Sequence, residues 1–147
     1  MVVTNEQIKA WRKQIRRYRT DGVSLARISH MAFVLNVIKR KMVQGDLENI
    51  EVFRDLLLNL FIEYDPSNLK VDVRKFILAQ RLKYQWRFKE LAEKMKKIDQ
   101  EHRGKSWVQD LWALYWVLRF ALSDGEIQVA DMIFPIWYQV AQKYVNE

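Results

Sequence analysis

Residues 107–122, WVQDLWALYWVLRFAL, narrow the fold more than any other stretch of the chain. Only Gln109, Asp110 and Arg119 in them are strongly polar. A helix that is apolar nearly all round is normally a buried one. A buried strand would need a run about half this long. A membrane span would need roughly 20 apolar residues, and this run is shorter and carries charge. It reads as a central helix wrapped by other helices.

Punctuation elsewhere supports an all-helical chain. Four Gly and two Pro leave few breakers, and every long segment has helical rather than alternating period. The expected fold class is all-α: a helical bundle of about six helices around the buried segment 107–122. No period of 20 to 50 residues points to a solenoid. The length of 147 residues predicts a single domain, 1–147, with a basic N-terminal helix in 1–22 lying peripherally.

Taken in order, helix 1 is expected over 5–20. Thr4 and Gln7 make a capping box, and Ile8, Trp11, Ile15 and Tyr18 form a narrow apolar stripe. The narrow stripe suggests a surface helix or a projecting arm. Helix 2 starts near Ser24, carries Leu25, Ile28, Met31, Leu35, Ile38 and Met42 on one face, and stops at Gly45. Asp46 is the expected cap of helix 3, whose stripe runs Leu47, Ile50, Phe53, Leu57, Leu60, Phe61, Tyr64. Asp65-Pro66-Ser67-Asn68 is a turn.

Helix 4 is expected from about Asp72 to Glu101, with Phe76, Ile77, Tyr84, Phe88, Leu91, Met95 and Ile98 inward and a mixed charged face that includes Arg81. Ser106 and Gln109 form a second capping box, opening the central helix. Trp112 and Trp116, four residues apart, are expected in the core. In the last helix Pro135 removes a backbone donor and should kink or split the helix near Phe134. Four principal helices, 2 to 5 or 3 to 6, would then pack as the bundle.

Charge supplies the main functional signal. There are 25 Lys and Arg against 18 Asp and Glu, a formal charge of +7. Ten cations stand between Lys9 and Lys41 against one acid, Asp21; from Trp107 on, Arg119 and Lys143 meet Asp110, Asp124, Glu126, Asp131 and Glu147. Such asymmetry favours an anionic partner, nucleic acid first. The candidate polyanion contacts are Lys9, Arg12, Lys13, Arg16, Arg17, Arg19, Lys39, Arg40 and Lys41. No helix-turn-helix signature accompanies them, so contacts to the phosphate backbone are expected rather than base readout. Trp11 and Tyr18 share the stripe of Ile8 and Ile15, which assigns them to packing before base stacking.

Among the six tryptophans, Trp86 lies off the main stripe of helix 4, between Gln85 and Arg87. It either meets another protein, where tryptophan is enriched, or marks a second buried face. His30 and His102 are far apart and lack a matched carboxylate cluster, so no metal site is expected; His102 suits the carbonyl end of its helix. Asp124-Gly125-Glu126 with Asp131 lacks the spacing of a calcium loop and reads as a helix cap. With no cysteine, no thiolate chemistry is available. There is no nucleophile elbow, phosphate loop or paired His–carboxylate motif. No enzyme and no cofactor are expected. The opening MVVTNEQIKAW lacks the apolar core of a secretory signal, which predicts an intracellular protein without a membrane span.

In its basic WRKQIRRYR (Trp11 to Arg19) and its aromatic WVQDLWALYW (Trp107 to Trp116), the chain resembles the coat-protein family of large tailed spindle-shaped viruses of hyperthermophilic archaea. The resemblance implies a helical bundle that assembles into a virion shell, or, as in one relative, a protein that binds and inhibits host RNA polymerase. It assigns no site residue. Two expectations follow. One is a viral structural or assembly protein that self-associates and contacts nucleic acid through a basic face. The alternative is a regulator that docks on RNA polymerase and blocks its nucleic-acid path. Residence in host cytoplasm, in the virion, or in both goes with either.

Overall fold

The computed structural model describes residues 2–67 and 74–145, with side chains over 2–67 and 83–145. These residues form six helices and no strand: α1 Asn5–Thr20, α2 Leu25–Val43, α3 Ile50–Glu63, α4 Arg74–His102, α5 Ser106–Ser123 and α6 Ile127–Val145. The protein is all-α. Read above as one domain, the chain divides into two compact units, Met1–Leu69 and Lys70–Glu147.

The first unit packs α1 on α2 and α2 on α3. Thr4 opens α1 through the expected capping box: Gln7 N donates to Thr4 Oγ1 at 3.2 Å, and Thr4 N to Gln7 Oε1 at 2.8 Å. Ile8, Trp11, Ile15 and Tyr18 are all buried. The helix is therefore docked along its whole length rather than projecting as an arm. Ser24 caps α2, its Oγ accepting from Arg27 N. The core continues through Met31, Val34, Ile38, Phe53, Leu57 and Leu60. Leu25, at the start of α2, and Leu47, in the connection before α3, were expected on the apolar stripes and are exposed.

The end of α2 departs from expectation in an instructive way. Gly45 takes the left-handed conformation, φ 69°, which an L side chain resists. That folds the chain back: Gly45 N donates to the Met42 carbonyl and Asp46 N to the Lys41 carbonyl, at 3.2 and 2.9 Å. This is a Schellman closure. It consumes Asp46, so α3 starts instead behind Asn49, at φ 62° and without a side-chain cap. Asparagine tolerates this conformation better than most residues.

In the second unit α5 lies in the middle, packed on α4 and on α6. Its inward side carries Val108, Leu111, Leu114, Val117, Leu118 and Ala121. The other side is not wrapped. Trp116 and Phe120 are each 38% exposed, and Trp112 is only half-buried. The expectation of a helix buried all round, with both Trp112 and Trp116 in the core, is corrected here: burial is one-sided. The fully buried tryptophan is Trp137 on α6, whose Nε1 donates to the Leu111 carbonyl at 3.2 Å. Asp110, one of the three strongly polar residues of this segment, is buried. Lys105, not Ser106, occupies the cap position of α5, with no side-chain cap bond.

Helix α6 runs unbroken through Pro135. Proline deprives the carbonyl four residues back of its donor, here Asp131. Both residues lie on the exposed side, where water can serve that carbonyl, so no split is required. The expected start of helix 4 at Asp72, the turn residue Asn68 and the side chains of Phe76, Ile77 and Arg81 lie outside the described residues.

Candidate polyanion-binding face

The geometry of α1 sorts its side chains. At 3.6 residues per turn, Lys9, Arg12, Lys13, Arg16, Arg17 and Arg19 project within an arc of roughly 160° on one flank of the buried stripe. Gln7, Ala10 and Gln14 take the opposite flank. All six cations are exposed. Among the described residues none of the six is held in an ion pair; Glu6, in the first turn, is the carboxylate that shares their flank. Asp65, in the turn after α3, is near enough to Arg17 to feel its charge. Its carboxyl is held below the usual range chiefly by the Ser67 backbone N–H, then by the Ser67 hydroxyl, with Arg17 adding a smaller pull.

The stripe beneath this flank is fixed from behind. Tyr18 donates its hydroxyl to the Phe61 carbonyl at 2.8 Å, and the two rings meet edge to face at 5.7 Å. The last carbonyls of a helix lack helical partners, and Tyr18 supplies one. A rigid base under flexible cations suits backbone contact: the array is presented as a surface, while each side chain adapts to phosphate spacing.

The connection 21–24 joins α1 to α2, and the two helices pack on each other, with Lys39 and Arg40 in the last turns of α2. Arg40 is exposed there and Lys39 half-buried; both lie opposite the buried arc of α2. Lys41 does not join them. It is 1% exposed, with Nζ 3.1 Å from Asp46 Oδ2 and 5.9 Å from the Phe53 ring centre. Lys41 is therefore removed from the polyanion set. The Gly45 closure brings Asp46 back over α2, and the buried ammonium takes that partner. A signal for this was present: Lys41 continues the buried series Val34, Ile38 at a spacing of three, and an acid follows five residues on.

Trp86 is 69% exposed, with Lys89 Nζ 5.5 Å from its ring centre. It does not mark a second buried face. Trp11 and Tyr18 are buried, which removes them as base-stacking groups. His30 is buried in the first unit, its Nδ1 2.8 Å from Tyr64 Oη. His102 packs against Trp107, ring centres 5.0 Å apart, and Trp107 in turn stacks on Tyr144 at 4.8 Å. Asp131, grouped above with Asp124 and Glu126, accepts the Tyr84 hydroxyl at 2.8 Å and lies 3.4 Å from Arg87 Nη1. Among the described residues no set of three or more His, Cys, Asp or Glu side chains is placed to hold a metal ion. Nor is any described helix long and apolar enough to cross a membrane.

Sequence reasoning missed the outward aromatic side of α5. Phe88 stacks on Tyr115 at 5.1 Å; Tyr115 meets Trp112 and Trp116 edge-on at 5.1 and 5.3 Å; Phe120 stacks beyond Trp116 at 6.1 Å. Comparison with protein-family models, with curated proteins and with solved structures finds no match to this chain.

Proposed function

We propose that this is a non-enzymatic binding and assembly protein whose first unit lays the cationic flank of α1 on a nucleic-acid backbone. The observation that carries the reading is the placement of Lys9, Arg12, Lys13, Arg16, Arg17 and Arg19. They share one exposed flank of a helix whose opposite stripe is fully docked. Such an array neutralises several phosphates and releases their counterions. It reads no base edges, so binding is expected to depend weakly on sequence. A virion shell, as the resemblance implies, is one setting for such a protein.

Binding of a short duplex across a salt series tests this. Affinity should fall by orders of magnitude between low and moderate salt, alike for duplexes of unrelated sequence. Absence of binding at low salt would overturn the reading. A second reading, a regulator docking on RNA polymerase across its nucleic-acid path, draws on the exposure of Trp86. Exposed tryptophan is a frequent anchor in protein interfaces. Capture of purified polymerase that is abolished by Trp86→Ala, without duplex binding, is the result that would favour it.

A further inference from the structure

We propose that the cationic flank of α1 selects double-helical nucleic acid over a single strand, taking phosphates of both strands at once. The inference rests on the backbone-contact reading above and names the substrate class of that same surface. From Lys9 to Arg19 the helix rises about 15 Å. Over that length it carries six exposed cations, one for about every 2.5 Å of axis. A duplex offers one phosphate charge per about 1.7 Å of its axis, and one of its strands alone offers one per about 3.4 Å. The array is denser than a single strand and sparser than a duplex, so only the duplex can partner every cation. Two acids subtract from the array without cancelling it: Glu6 shares the flank, and Asp65 lies near Arg17.

The width of the array points the same way. Around the helix, Arg12 and Arg19 stand on the edge next to the buried stripe, and Lys13 and Arg17 stand on the far edge. The edges of an arc of roughly 160° on a cylinder of about 10–12 Å diameter are about 10–12 Å apart. The grooves that separate the two strands of a duplex are about 6–12 Å wide. Each edge can therefore serve its own strand, whereas one straight strand cannot follow both. Single-strand binders offset their lower charge density by stacking bases on aromatic rings. This surface offers none: among the described residues of the first unit no ring is exposed. Trp11, Tyr18, Phe53, Phe61 and Tyr64 are buried, and Phe33 is half-buried.

The test compares the full chain on a short mixed-sequence duplex and on either of its strands, by fluorescence anisotropy of the labelled nucleic acid. Each contact contributes about 0.9 to the salt slope on a duplex and about 0.7 on a single strand. Six contacts should therefore favour the duplex about 15-fold at about 0.1 M salt. Replacing three of them, Arg12→Gln with Arg16→Gln and Arg17→Gln, should shrink that preference to about fourfold, with helicity by circular dichroism unchanged. Should that variant fail to fold, Lys9→Gln with Lys13→Gln should shrink it to about sixfold. A strand bound as tightly as the duplex overturns the proposal, whether the flank holds it or the exposed Trp86 and Trp116 of the second unit do. So does a duplex preference that survives unchanged in the folded variant, or polyglutamate that competes as well as the duplex. Equal, salt-dependent binding of duplex and strand leaves the backbone-contact reading standing and removes this selectivity alone. Binding of neither at low salt removes both.

Discussion

Tyr18 of α1 closes the end of α3, donating its hydroxyl to the Phe61 carbonyl across 2.8 Å. This bond decides what α1 is: a docked helix with one free flank. Tyr18→Phe keeps the ring contact and strips the buried carbonyl of its donor. It should cost about 1–3 kcal/mol in chemical denaturation of the whole chain, and it should speed amide exchange in α1 first. A change near zero would mean that α1 is held by its apolar stripe alone.

Lys41 and Asp46 give a second test, because their fates under mutation differ. Asp46→Ala takes from a buried ammonium the carboxylate 3.1 Å away and should cost about 1.5–3 kcal/mol. Lys41→Met keeps the packing on Phe53 and leaves Asp46 at a site water can reach, so it should cost less. Duplex affinity should be the same in Lys41→Met as in the wild type. A marked loss of affinity there would return Lys41 to the binding face.

The hydroxyl of Tyr84 predicts a pH dependence in the second unit. Burial first, then the hydrogen bond and charge of Asp131, push its pKa up to about 12 against an ordinary value of 10. The folded form thus favours the protonated hydroxyl. Stability from this source is complete below pH 10 and is lost as pH rises toward 12. Unfolding midpoints of wild type and Tyr84→Phe, followed across that window, should converge at high pH. Midpoints that stay parallel would show that Asp131 does not hold the hydroxyl.

Trp137 and Trp112 mark where sequence reading succeeded and where it stopped. Trp137→Ala should cost about 3–5 kcal/mol as a large buried ring is lost. Trp112→Ala, at a half-buried site, should cost clearly less in the same denaturation experiment. Equal losses would mean that α5 is wrapped on both sides after all.

Helix stripes were legible because burial imposes a period of 3.6 residues on the chain; Ile8, Trp11, Ile15 and Tyr18 stand where that period requires. The Thr4–Gln7 box was legible because its chemistry is local. The outward rings of α5 were not, since an aromatic residue satisfies the same apolar pattern whether it faces a core or a surface. Lys41 was misassigned because a run of three cations looks like a solvated surface until Gly45 folds Asp46 back on it. The start of α3 depended on a left-handed Asn49, which no pattern of apolar residues encodes.

The most direct test is the salt slope of duplex binding for wild type and for the variant Arg12→Glu, Arg16→Glu, Arg17→Glu. Each phosphate contact contributes about 0.9 to the slope of log K against log salt. The variant should keep wild-type helicity and unfolding midpoint, and its slope should be shallower by about 3. An unchanged slope in a folded variant would contradict the assignment of the α1 flank as the surface that meets nucleic acid.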